Sequence, residues 1–165
     1  MRICAVRQVI HIRRGDIVVK AKAGKADDLW IPDHTYRQLL DTWLRQYPSH
    51  KIGIYSEGLP WDFESIVQGY ESRVALVLNG DIECAFHHMV TAPHLFVAPS
   101  SFSVAPALIN PNRVYYFDRT PHIDDYRVDY LPESVMKIPV CRLGRILWKF
   151  WATAPKGWDA NLVGE

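Results

Sequence analysis

Residues 51–58 read Lys51-Ile52-Gly53-Ile54-Tyr55-Ser56-Glu57-Gly58, a short apolar run that stops at a polar turn. Such a run suits a strand buried on both faces, and the glycine with polar neighbours marks its end. Just upstream, Tyr36, Leu39, Leu40, Trp43, Leu44 and Tyr47 recur at helical spacing. That spacing predicts a one-sided helix, opened by Pro32-Asp33 and stopped by Pro48. Downstream, Phe63, Ile66 and Val67 share one face of a short helix spanning 61–68. Strand and helix therefore alternate on both sides of this run.

The alternation continues to both ends. Ile3 to Ile12 reads as a first strand, stopping at Arg13-Arg14-Gly15-Asp16 and followed by an exposed loop over 17–31. Arg73 to Leu78 is the third strand, ending at Asn79-Gly80-Asp81. Asp81 is the expected N-cap of a helix to about Ala92, with Ile82, Ala85, Phe86, Met89 and Val90 on its apolar face. His94 to Ala98 is the fourth strand, Pro99-Ser100-Ser101 opens a helix through Ile109, and Arg113 to Phe117 is the fifth strand. A strict β-α-β-α order with crossover-length connections implies an α/β domain: about five mainly parallel strands with helices on both faces. The pattern does not give the strand order. It covers residues 1–117. Residues 118–165, with Pro121, Pro132, Pro139 and Pro155, read as an irregular arm. One amphipathic helix is expected in the arm, on Leu143, Ile146, Leu147, Phe150 and Trp151.

Composition narrows the function classes. The chain has 165 residues, 48% hydrophobic, with 19 basic and 18 acidic side chains. That is a globular domain with a real core. A net charge of +1 argues against broad nucleic-acid binding, which needs a basic stripe. Cys4, Cys84 and Cys141 form no CxxC pair, so no zinc ribbon or disulfide framework is expected. No apolar run approaches the ~20 residues of a membrane span, and the charged opening Met1–Arg7 does not resemble a signal-peptide core. Read as it stands, the chain fits the cytoplasm, or else a targeting segment has been lost from it.

Ligands of open α/β sheets bind beyond the carboxyl ends of the strands. The residues at the strand exits are therefore the candidate site: Arg13, Arg14 and Asp16; Ser56 and Glu57; Asn79 and Asp81; Ser100 and Ser101. Two serines at a helix start offer hydroxyls and unpaired N–H groups at the positive end of a helix dipole, which suits a phosphate. Helix capping is the alternative role, and for the serines alone the stronger one. The arginine pair shifts the balance, because guanidinium forks match phosphate oxygens. One arginine is expected on the ligand and the other in internal bracing. Adjacent histidines His87 and His88 point to different helix faces and read as filler rather than metal ligands, and His94 carries no metal reading either. Asp27-Asp28 and Asp124-Asp125 do not follow a strand as a metal-binding DxD would.

His11-Ile12-Arg13-Arg14-Gly15-Asp16 resembles the HxRRGD-type motif shared by α1,2-, α1,6- and protein O-fucosyltransferases. Ala98-Pro99-Ser100-Ser101-Phe102-Ser103 is similar to the SSFS segment that closes the same domain in the α1,2 enzymes. Between them YSEG, NGD, FHHM and LFVAPSSFS follow that family's order, so the resemblance covers roughly residues 6 to 117.

The resemblance implies the Rossmann-like, donor-binding half of a GT-B enzyme that carries GDP-fucose. It implies inverting transfer of the sugar to a glycan or protein hydroxyl, with no cofactor and no obligatory metal. Arg13, then Arg14, would hold the β-phosphate and assist its departure. His11 would lie near the guanine or ribose, Ser100 and Ser101 would contact phosphate, and Ser103, Asp16, Ser56, Glu57 and Asn79 complete the candidate binding set. Where several relatives carry an acid that reads guanine, this chain has Ala85, with Glu83 nearby and Asp81 at the helix start. The family's Trp-Trp after SSFS is Val104-Ala105 here. An N-terminal acceptor domain, the other half of a GT-B enzyme, would have to come from outside these residues. A non-catalytic nucleotide- or anion-binding module is the alternative. Other phosphate-using α/β enzymes lack support, since GxxxxGK[ST], GxGxxG and GxSxG are all absent.

Overall fold

A computed structural model of the chain describes residues 8–18 and 30–117, together with the backbone of a strand at 135–138. Strands β1 (Gln8–His11), β2 (Ile52–Ser56), β3 (Val74–Leu78), β4 (His94–Val97), β5 (Arg113–Phe117) and β6 (Val135–Ile138) form one sheet. Every pairing is parallel and the order is β3-β2-β1-β4-β5-β6. This is the doubly wound, Rossmann-like arrangement. The sixth strand comes from the stretch expected to be irregular. Its Val-Met-Lys-Ile sequence is too short to stand out among prolines, and pairing with β5 defines it. The helix expected on 143–151 lies outside the described residues, as does the part of the first strand expected over 3–7.

The helices are α1 (Asp33–Gln46), α2 (Glu64–Val67, entered through a 3-10 turn at Pro60–Phe63), α3 (Ile82–Thr91) and α4 (Ser101–Ile109). Strand alternation sorts side chains onto two faces. Ile10, Ile12, Ile52, Ile54, Phe96, Tyr115 and Phe117 pack under α1 and α2 around Trp43 and Phe63. Val9, Tyr55, Leu95, Val97, Val114 and Tyr116 pack under α3 and α4 around Met89 and Val104. Burial on two faces explains why the central strands read as continuous apolar runs. β3 is an edge strand, and after Val74 its residues are only half-buried.

Helix ends follow their residues. Asp81 caps α3, its Oδ1 accepting from Cys84 N at 2.8 Å. Pro32 precedes α1 without a capping bond, because its ring carries no side-chain acceptor.

Candidate functional site

The strand order reverses between β1 and β4. There neighbouring connections leave for opposite faces and open a crevice at the carboxyl edge. Register keeps that edge level: His11 pairs with Tyr55, Tyr55 with Val77, and Ile10 with Phe96. The exit of β1 (Ile12–Asp16) and the start of α4 after β4 therefore flank one gap, though they lie almost ninety residues apart in the chain. A cleft of about 570 Å³ occupies this place. His11, Tyr55 and Val77 form a row across three strands on its sheet side, and Ala85 and Phe102 come from the helices above.

The two arginines are anchored differently. Arg14 is 2% exposed and committed inward. Its Nη2 bonds Asp33 Oδ1 at 2.5 Å and reaches Ile31 O at 3.4 Å; its Nη1 donates to Arg13 O at 3.0 Å. The guanidinium also sits 4.1 Å from the Trp30 ring centroid. Asp33 in turn accepts from Ser65 Oγ at 2.7 Å, so Arg14 ties the β1 exit to α1 and α2. Arg13 has no such anchorage among the described residues. Its side chain is 26% exposed, and its ion pair with Asp16 is 3.5 Å long, with Asp16 largely in solvent. A pair of that length and exposure contributes little and leaves the fork open to a stronger partner.

Ser100 holds the N-cap position of α4, yet its side chain makes no capping bond. Its carbonyl instead takes Ser103 N and Val104 N at 3.1 and 3.2 Å. The first N–H groups of a helix have no acceptor within it. Those of Ser101 and Phe102 thus remain unused among the described residues, beside hydroxyls that line the cleft. Capping, the simpler role for these serines, is not how Ser100 is used. Ser103 is fully buried, its hydroxyl bonded to Ala98 O and Ser100 O, and so shapes the turn rather than facing the cleft.

His11 is buried against the edge of Phe102, ring centroids 5.6 Å apart. Its Nδ1 has no hydrogen-bond partner among the described residues. Burial, aided by the Arg13 charge, lowers its pKa to about 4, so the ring is neutral at pH 7. The unfolded chain binds the proton near pH 6.5, whereas the folded chain resists it until about pH 4. Stability is therefore unaffected by His11 above pH 6.5 and is lost progressively as pH falls from 6.5 to 4. His94, also lowered to about 4 by burial, acts in the same window. Replacing His11 with Asn is expected to recover up to about 3 kcal/mol of the loss between pH 7 and pH 4, read by denaturant titration at each pH. An unchanged pH profile in the variant would contradict the burial of this ring.

The remaining expected residues fall into two groups. Asp16, Ser56, Glu57 and Asn79 line the cleft with His11, Arg13, Arg14, Ser100 and Ser101. Asp81 and Glu83 do not: Asp81 is engaged as a cap and Glu83 is exposed on the first turn of α3. Ser56 lines the cleft but its hydroxyl donates to Ile12 O at 2.6 Å, joining two strand exits. Tyr55, Phe102 and Asp33 are additions that the sequence reading misses. Tyr55 has a usable signal, since strand parity puts it in the same row as His11. Its Oη lies 2.6 Å from His88 Nδ1, which gives one of the paired histidines a structural partner.

Among the described residues no group of His, Cys, Asp and Glu could hold a metal ion, and no helix is long and apolar enough to cross a membrane. Strand order and cleft together define a Rossmann-like α/β domain with a crevice at its switch point. No protein-family model, no curated protein and no solved structure matches this chain.

Proposed function

We propose that the chain is the donor-binding half of an inverting glycosyltransferase that carries a sugar, fucose by the resemblance of its motifs, on a nucleoside diphosphate. One observation carries the reading: the strand order brings the HxRRGD exit and the SSFS helix start together across one crevice. Each half is phosphate chemistry. Arg13 offers a loosely held fork, and α4 offers two unused N–H groups with the helix dipole behind them. A diphosphate between them leaves the nucleoside to run along the row of His11, Tyr55 and Val77.

In the transfer, the acceptor oxygen attacks the anomeric carbon from the face opposite the nucleotide. The bond from that carbon to the β-phosphate oxygen breaks, and the electron pair leaves with the nucleoside diphosphate. The acceptor proton passes to a base. Arg13 and the α4 N–H groups would stabilise the charge that develops on the leaving diphosphate. The acceptor hydroxyl would be presented by a further domain, outside these residues.

The non-catalytic module keeps the same pocket, and turnover separates the two. Chain incubated with GDP-fucose is expected to bind it saturably and to release free GDP slowly, with water as the acceptor, whether or not glycans are added. Saturable binding with no GDP released under any of these conditions is the result the module predicts.

A further inference from the structure

The β2 exit carries a carboxylate that neither the fold nor the diphosphate site uses. Glu57 lines the cleft, is exposed, and has no side-chain hydrogen bond or ion pair among the described residues. Its backbone, by contrast, is fixed on both sides. Ser56 O accepts from Asn79 N at 3.0 Å, and Ser56 Oγ donates to Ile12 O. Gly58 N donates to Asn79 Oδ1 at 3.1 Å while Asn79 Nδ2 donates to Gly58 O at 2.9 Å. Asn79 adopts the uncommon left-handed conformation (φ 53°) in making this reciprocal clasp. A turn held this firmly presents its one uncommitted side chain in a defined direction.

That direction is toward the β1 exit. A Cβ added to Gly15 (φ +43°) would lie 2.1 Å from Glu57 Oε2, so the carboxylate fills the space that glycine leaves open. β2, β1 and β4 are neighbours, and strands are spaced by about 4.8 Å, so the β2 exit stands roughly 10 Å from the α4 start. A diphosphate and the diol of its own ribose span a distance of that order. Dinucleotide-binding sheets of this strand order carry a GxGxxG turn that this chain lacks, but they too place a carboxylate in this region, where it accepts a hydrogen bond from the ribose 2′-hydroxyl.

We infer that Glu57, clasped in place by Asn79 and admitted by Gly15, is the ribose-reading residue of the cleft. It makes the site specific for ribonucleotides over deoxyribonucleotides. The inference rests on the nucleotide reading proposed above.

The test is a calorimetric titration of wild type, Glu57→Ala and Glu57→Gln with inorganic pyrophosphate, GDP and 2′-deoxy-GDP. Wild type is expected to bind GDP roughly tenfold or more tighter than 2′-deoxy-GDP, as a hydrogen bond to a charged acceptor requires. Glu57→Ala is expected to remove that difference by weakening GDP alone. Pyrophosphate affinity should hold or rise slightly as a negative charge leaves the cleft. Glu57→Gln should fall between. Equal binding of the two nucleotides by wild type, or an equal loss of both in Glu57→Ala, overturns the ribose assignment while leaving the diphosphate site intact. Failure of both pyrophosphate and GDP to bind the folded wild-type chain overturns the nucleotide reading itself, and the inference with it.

Discussion

Arg13→Ala is expected to weaken GDP binding by about 10- to 150-fold, corresponding to the ~1.5–3 kcal/mol of a hydrogen bond to a charged group. The same variant should unfold within about 0.5 kcal/mol of wild type. The ion pair of Arg13 with Asp16 is 3.5 Å long and largely in solvent, and such pairs add little to stability. Arg13→Lys should recover part of the affinity, since it restores the charge but not the planar fork. Calorimetry with GDP and urea denaturation of the same preparations read the two quantities. A variant that binds GDP like wild type would remove Arg13 from the site.

Arg14→Ala is expected to do the reverse. Its guanidinium is buried, bonded to Asp33 and two backbone carbonyls, and stacked over Trp30. Removing one partner of a buried pair leaves the other uncompensated, and the cost is typically several kcal/mol. Asp33 retains about a third of its surface and keeps Ser65, which lowers the penalty. The expected loss is about 3 kcal/mol, visible as a fall in Tm of roughly 6–12 °C. Arg14→Lys should lose less than Arg14→Ala but far more than Arg13→Ala, because an ammonium does not reproduce the planar fork that spreads its donors over three separate acceptors. Equal destabilisation by the two alanine variants would contradict the division of labour between these adjacent residues.

The elements of this fold are legible because burial writes them into the sequence. Ile52 and Ile54 face α1 while Tyr55 faces α3, so β2 shows no polar alternation and reads as a doubly covered strand. Tyr36, Leu39, Leu40, Trp43 and Leu44 are the buried stripe of α1, as their spacing predicts. Strand order is not legible, since each βαβ unit looks the same whichever edge it extends. It is nevertheless the strand order that turns two distant motifs into one cleft. β6 escapes notice because a four-residue strand among prolines has no periodicity of its own. Pairing with β5 reveals it.

The site shows the same division. The places of Arg13 and Ser101 at the cleft are readable from type and position: charge after a strand, hydroxyl at a helix start. The roles of Arg14 and Ser103 depend on contacts no spacing rule contains. Asp33, nineteen residues beyond Arg14, is its partner only because α1 packs behind β1. Ser103 sits in the same motif as Ser100 but turns its hydroxyl onto the backbone of its own turn. Asp81 reads as a cap from its position and is one, and it does not line the cleft as a base-reading role would need. The placing of Glu57 needs the clasp between Gly58 and Asn79, and a clasp across two strand exits is invisible in one dimension.

All of this depends on the β1–β4 crevice binding a diphosphate at the start of α4. Backbone amide NMR of the isotope-labelled chain, titrated with pyrophosphate and then GDP, reads that contact residue by residue. Saturable shifts are expected, largest for the Ser101 and Phe102 N–H groups with pyrophosphate and extending to Tyr55 and Val77 when GDP replaces it. A well-dispersed spectrum in which those two amides stay still, or in which the shifts cluster away from the β1 and β4 exits, would contradict it.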